Sequence, residues 1–359
     1  MTSMSAPATQ FRIPHLRMTL ADVAREAAVS LATVDRVINR RGGVSARTVQ
    51  RVEQALIRLG YRPDPVAARL ARGITFRFCF VLPTGSNTFM GMLAEQVEQA
   101  KAWLAEQRAF LDLVRVDVFD PLALAAALDG LQEKYQGVAV VALDHPAVRE
   151  AIDALVDRGT AVVTLVSDVP SSKRHRYVGI NNSSAGRTAG TLMGRFAGPR
   201  KGPVGMIVGS LALRDHAERQ FGFQQVIAAE YPGLQVLPAG EGRDDAAQTR
   251  VAAEKLLRAH PDLVGIYSAG AGNRGIVEAL EAATTAGTIL RKPIFIAHEL
   301  TPFSRKFLMR GIQDAAINQD PGHEARSAAR ILLAHCQDLP VVADQERIRI
   351  DIFVRDNLP

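Results

Sequence analysis

Seven short apolar runs, RFCFVL, LDLVRVDVF, GVAVVAL, TAVVTLV, GPVGMIV, LVGIYSA and PIFIAH, recur between Arg77 and His298. Each is followed by a loop and then by an amphipathic segment such as Met90 to Gln107 or Ala217 to Ala229. Runs that are apolar without alternation read as strands buried on both faces, and helices between them make the neighbouring strands parallel. That repetition predicts an α/β body of parallel sheets, whose ligands collect at the carboxyl ends of the strands. Because the repeating region extends from about residue 74 to residue 359, it is expected to divide into two sheets side by side.

The chain ahead of it is patterned differently. Thr19 is placed to cap a first helix, with Asp22 at its third position favourable to the helix dipole and Leu20, Val23, Ala24 and Ala27 on one stripe. Ala28 and Val29 leave room for a tight turn, and Ser30 caps a second helix in which Val34, Val37 and Ile38 share a face. Leu31, Ala32, Asp35, Arg36 and Asn39 fall on the opposite face. Arg40-Arg41-Gly42-Gly43 interrupts the pattern, and Ser45 opens a third helix that ends at Gly60. Three short helices with a tight turn between the first two form a helix-turn-helix unit, whose second helix enters the DNA major groove. Beyond it, Pro63 and Pro65 precede VAARLA, a short helical linker that closes at Gly73.

Charge separates the same two regions. Residues 1–73 hold 12 Arg and no Lys against 5 acidic residues, whereas the remainder has 31 basic and 32 acidic residues. A basic unit joined to a near-neutral body points to an anionic macromolecular partner. Cys79 and Cys336 lie far apart in apolar surroundings, without metal-binding spacing, and read as buried thiols in a reducing compartment. No apolar run approaches the ~20 residues of a membrane span. Residues 1–17 lack a signal-peptide core and read as a disordered tail, so a cytoplasmic location without membrane attachment is expected.

Several motifs add a resemblance to these physical readings. The stretch MTLADVAREAAVSLATVDRVINRRGGVSARTVQRVEQALIRLGYRPDPVAARLARG resembles the head and hinge of LacI-type bacterial transcription repressors nearly end to end. In the body, VGINNSSAGRTAG, HAERQFGF and INQDPG are similar to the ribose-binding type of periplasmic sugar-binding protein. The resemblance implies an all-α helix-turn-helix head at 18–62, a hinge helix at 63–73 and a two-lobed effector-binding body at 74–359. Lobe one would take about 74–179 and 320–341, and lobe two about 180–319 and 342–359. It further implies a homodimer on pseudo-palindromic operator DNA, controlled by a sugar, polyol or sugar acid held between the lobes, with no cofactor and no metal.

The implied contacts fall on particular residues. Leu31, Ala32 and Arg36 stand where family members touch base edges, and Arg36 has the bidentate donors a guanine accepts. Thr33 and Asn39 stand at phosphate contacts, and Thr19, Ser30 and Asp35 complete the expected DNA-facing set. Leu70 matches the hinge leucine wedged into the minor groove, although a linker leucine also packs without DNA. For the effector the resemblance implies Asn87, Phe89, Ser167 or Asp168, Arg219, Glu299 and Gln319. Arg219 has a competing reading as an ion-pair partner of Glu218 or Asp215, and His216 and His298 read as polar cleft or surface residues.

The departures from the family pattern are equally specific. Ala28 occupies a turn position usually held by Gly, and Asp35 one usually held by Ser. Ala269-Gly270 replaces a common Asn-Asp pair, so one sugar contact is missing or has moved to Asn273. AHELT replaces Gly-Phe-Asp, which sends the longer Glu299 side chain farther into the cleft. A carboxylate at Asp35 opposes phosphate unless it pairs with an arginine such as Arg36 or accepts from a cytosine amino group; the pair is the expectation. Finally, GAGNRG at Gly270–Gly275 satisfies a dinucleotide-binding pattern and follows a strand, which leaves a nucleotide-binding α/β enzyme as one rival. A sugar-binding transport component is the other. No Walker A, Gly-x-Ser-x-Gly or His-Glu-x-x-His sequence is present, and no catalytic apparatus is expected.

Overall fold

The computed structural model describes residues 18–61, 73–131 and 133–359. They belong to two compact units that divide after Ile74. The expected tail at 1–17, most of the hinge at 63–73, and Leu70 lie outside the described residues.

In the first unit, α1 (Leu20–Glu26), α2 (Leu31–Ile38) and α3 (Ala46–Arg58) follow one another. Each begins at a hydroxyl cap, because the first N–H groups of a helix have no partner within it. Thr19 and Asp22 exchange backbone-to-side-chain bonds of 2.9 and 3.3 Å, Ser30 accepts from the Thr33 amide at 3.2 Å, and Ser45 from Thr48 at 3.3 Å. The bond from the Thr19 amide lowers the pKa of the Asp22 carboxyl. Val23, Ala24, Ala27, Val34, Val52 and Ala55 form the buried core, with Val37 and Ile38 against it. The turn between α1 and α2 places Ala28 at φ 50°, the left-handed conformation that a glycine adopts without strain. Arg51 on α3 donates to the Ala28 carbonyl at 3.2 Å and braces that turn.

The second unit contains two sheets. In the first, β1 (Phe76–Pro83), β2 (Ala109–Val116), β3 (Gly137–Val140), β4 (Ala161–Leu165) and β5 (Arg176–Val178) lie in the order β2-β1-β3-β4-β5, every pair parallel. The second contains β6 (Gly202–Val208), β7 (Leu234–Val236), β8 (Gly240–Glu241), β9 (Gly265–Ser268), β10 (Ile294–His298), β11 (Ala315–Asn318) and β12 (Asp351–Phe353). Its order is β12-β11-β10-β9-β6-β7, with β8 also paired to β6 and only β12 antiparallel.

All seven apolar runs supply strands, and the short strands β5, β7, β8, β11 and β12 join them. Helix α4 (Thr88–Glu106) follows β1, and α5 (Pro121–Asp129) and α6 (Pro146–Asp157) follow β2 and β3. Helix α7 (Asn182–Ala197) lies against α8 (Arg214–Glu230), and α9 (Ala246–Ala259) against α10 (Asn273–Thr285). After β11 and α11 (Pro302–Met309), helix α12 (Pro321–Cys336) returns to pack on α4, β3 and β4, before β12 rejoins the second sheet. The chain therefore passes between lobes more than once, and the carboxyl ends of β1, β4, β9 and β10 converge on one cleft.

Neither cysteine forms a disulfide. Cys79 is buried, and that burial pushes its thiol up to about 12; Cys336 is only half-buried, which corrects the expectation of two buried thiols.

Candidate functional site

The exposed face of α2 is the first candidate surface. Val34 is buried, which fixes the rotation of the helix and turns Leu31, Ala32 and Arg36 outward. Leu31 is 52% exposed. No hydrogen bond or ion pair ties the Arg36 guanidinium among the described residues, and it extends past Gly43. Thr19, Ser30 and Thr33 are engaged in capping, with the Ser30 and Thr33 hydroxyls 2.9 Å apart. Asp35 accepts from Asn39 Nδ2 at 2.8 Å and pairs with Arg41 at 3.3 Å. The arginine is thus Arg41 and not Arg36: one turn along the helix brings Asn39 beneath the carboxylate, and the chain bends back after Ile38 to present Arg41.

The second candidate is the cleft between the two sheets, a cavity of about 240 Å³. Asn87, Phe89, Ser167, Arg219, Glu299 and Gln319, expected from sequence, all line it. Asp168 does not. Arg174 binds it in a two-pronged ion pair, with one contact of 2.6 Å, and Thr164 donates to it at 2.6 Å, so its carboxylate is consumed away from the cleft. Asn273 lines an adjoining hollow and donates to the His298 carbonyl at 3.1 Å.

Arg219 organises the floor. It is 3% exposed, and its Nε and one terminal nitrogen donate to Asn182 at 2.8 Å and to the Ala269 carbonyl at 2.9 Å. The other terminal nitrogen has no hydrogen-bond partner and stands 3.9 Å from Asp215, one helical turn back on α8. Of the two acids proposed as partners for Arg219, Glu218 instead binds Arg214 at 2.8 Å. Glu299 receives the Gln319 side-chain amide at 2.9 Å and its backbone N–H at 3.3 Å. Burial pushes the Glu299 carboxyl up to about 7, against the opposing pull of Arg219. Glu299 adopts φ 70°, a left-handed backbone rare for a residue with a side chain, and such outliers cluster at binding sites.

Polar atoms without protein partners gather here. Ser167 Oγ, Asp215 Oδ1, Gln319 Oε1 and His298 Nδ1 are buried and unpaired, although buried polar atoms are nearly always satisfied. His298 receives a 2.8 Å contact from Tyr267 at Nε2, and burial holds its ring pKa well below the usual value. The rim joins the lobes: Ser86 donates to Asp245 at 3.0 Å, Asn87 to Asp244 at 3.2 Å, and Arg243 lies 3.9 Å from Asp117 and over the Phe119 ring.

Asp117, Asp215, Asp244 and His298 were not singled out as cleft ligands. Asp215 alone carried a usable signal, its i,i+4 spacing from Arg219. Asp117 and Asp244 arrive on loops from distant parts of the chain, and His298 ends β10.

The glycine motif is accounted for by packing. A Cβ at Gly275 would lie 2.0 Å from the Ala246 carbonyl oxygen and one at Gly270 2.6 Å from Asp244. Gly272 has φ +82°. The Ala271 N–H, placed where a phosphate would be held, donates to Asp244 at 2.8 Å. A carboxylate already in that turn opposes a pyrophosphate.

Two lobes of parallel sheet closing on an orphaned polar floor define a ligand-binding body of the periplasmic-binding-protein class. The model for the periplasmic binding protein domain matches residues 78–339, and that for bacterial regulatory proteins, lacI family, matches residues 19–64. The chain belongs to the periplasmic binding protein domain family through its body, and ahead of that body it carries a DNA-binding domain of the lacI type.

Catabolite control protein A of Priestia megaterium is 43% identical over 83 residues, 23% of this chain and 25% of that protein. The HTH-type transcriptional regulator GalS of Salmonella typhimurium is 27% identical over 251 residues, 70% of this chain and 71% of its own. Among solved structures, GanP, a glucose-galactose binding protein from Geobacillus stearothermophilus, is 20% identical with a TM-score of 0.69, covering 80% of this chain and 99% of that one. A solute-binding protein of an ABC transporter from Burkholderia graminis, in complex with D-arabinose, is 23% identical with a TM-score of 0.69, covering 79% and 96%. At these identities the solved structures establish the fold alone.

Proposed function

We propose that the protein is a sequence-specific DNA-binding transcriptional regulator whose operator affinity is set by a small polyhydroxylated effector bound in the cleft. The observation that carries this reading is the exposed face of α2. Its leucine and arginine lie outside the buried core of their own unit, on the helix face that a helix-turn-helix turns toward base edges. The orphaned polar floor of the cleft supplies the second half, since hydroxyl groups are the natural partners for such atoms.

In this reading the protein works in the cytoplasm as a homodimer, because a pseudo-palindromic operator mirrors a two-fold protein. Among the described residues no helix is long and apolar enough to cross a membrane. Leu70 acts in the minor groove at the dimer centre. The relatives' names support regulation over transport, and Asp244 in the glycine turn weighs against a nucleotide-binding enzyme.

The test is selection of duplexes from a random-sequence pool by the full chain. Enrichment of a two-fold-related half-site is expected. Recovery of an unenriched pool would overturn the reading.

A further inference from the structure

The charges around Arg219 do not balance. Asp215, Glu299 and Glu324 are all at least nine-tenths buried, and among the described residues Arg219 is the one buried guanidinium. Glu324 has no donor on either carboxyl oxygen, and burial pushes its carboxyl far above the ordinary carboxylate range. Three buried carboxyl groups therefore surround one buried guanidinium. Arg219 has already given two nitrogens to neutral acceptors, and Glu299 receives only the neutral N–H groups of Gln319. Arg243, at the mouth, is half-exposed and faces Asp117. His216 Nε2 stands 3.6 Å from Asp215 and balances it only when the ring is protonated, while its Nδ1 lies 3.2 Å from the Ser210 backbone.

A buried carboxylate without a cation takes up a proton unless a ligand supplies the charge. A neutral sugar satisfies the orphaned Asp215 Oδ1 and Gln319 Oε1 but brings no cation to the buried acids beyond Arg219. A sugar acid adds a further negative charge among them. We propose that the ligand of this cleft is a polyhydroxylated amine, its ammonium matched by the Asp215 and Glu299 carboxylates and its hydroxyls by Ser167, Gln319 and Arg219. Phe89, Met90 and Phe119 supply apolar surface for its carbon skeleton. The inference rests on the effector-binding reading above and narrows it.

Binding then displaces the proton that Glu299 otherwise holds, which gives a readout separate from affinity. Calorimetry on the full chain at pH 7 compares D-glucosamine, D-galactosamine and D-mannosamine with their parent hexoses and the corresponding hexuronic acids, each in two buffers of different ionisation enthalpy. At least one hexosamine is expected to bind ten-fold or more tightly than its parent, with release of a proton, while the uronic acids give no binding. Glu299→Gln removes the preference for the amine. A parent hexose or uronic acid binding as well as its amine overturns the inference, as does hexosamine binding without proton release. Binding of neutral probes alone overturns it yet leaves the sugar-effector reading standing; binding of none overturns both.

Discussion

Asp35 and Arg41 are joined by a 3.3 Å ion pair at the end of α2, and Asn39 donates to the other carboxylate oxygen at 2.8 Å. A negative charge on a DNA-facing helix is thereby neutralised within the head. Asp35→Ser releases Arg41 from its ion pair, leaves Asn39 its 2.9 Å bond to the residue-35 backbone carbonyl, and removes a negative charge that faces phosphate. Affinity for non-specific duplex is expected to rise by roughly two- to five-fold at low salt, with little loss of specificity. Fluorescence anisotropy on selected and scrambled duplexes measures both quantities. A large loss confined to one C·G pair would instead assign Asp35 to a cytosine.

On the same surface, the Arg36 guanidinium has no hydrogen bond or ion pair among the described residues. Arg36→Ala is expected to cost about 1–3 kcal/mol at a single G·C position and to relax preference there. An equal loss for every sequence would make Arg36 a phosphate contact.

Ala28 carries strain that a glycine does not. Ala28→Gly is expected to stabilise the head by up to about 1 kcal/mol, read as a higher melting temperature for its unfolding. Destabilisation would show that the left-handed turn is not adopted in solution.

The Glu299 carboxyl is raised from its ordinary 4.5 to about 7 by burial, with Arg219, Asp215, Gln319 and Glu324 facing it. A raised pKa means that the folded state binds the proton more tightly than the unfolded chain. Its stabilising contribution is complete below about 4.5 and is lost as pH rises through about 7. Glu299→Gln should flatten that decline, gaining on the order of a few kcal/mol relative to the parent between pH 5 and pH 8. Denaturant midpoints at the two pH values measure it, and parallel profiles would contradict it.

Much of this molecule was legible in the sequence because local rules govern it. Thr19, Ser30 and Ser45 announce helices by their hydroxyls, and the apolar runs announce buried parallel strands. The short strands were not legible: three residues at a sheet edge, as in Leu234–Val236, carry no periodic signal. Within the cleft, Ser167, Glu299 and Gln319 lie outside regular elements and were placed by the resemblance, not by any local pattern. Arg219 follows from its helix, whereas Asp168 and Ser167 are neighbours in sequence that turn to opposite duties, one to Arg174 and one to the cleft. The partner of Asp35 was missed for a similar reason. Helical spacing favoured an arginine within α2, while Arg41 reaches the carboxylate from the bend beyond the helix end.

The central claim is that occupancy of the cleft changes the affinity of the head for DNA. It is tested most directly by titrating the full chain onto its selected duplex and onto a scrambled one, with and without a cleft ligand identified by calorimetry. The account predicts that the ligand shifts affinity for the selected duplex by roughly 5- to 150-fold, with the duplex shifting ligand affinity by the same factor. Identical affinity for the selected duplex with and without saturating ligand would contradict it.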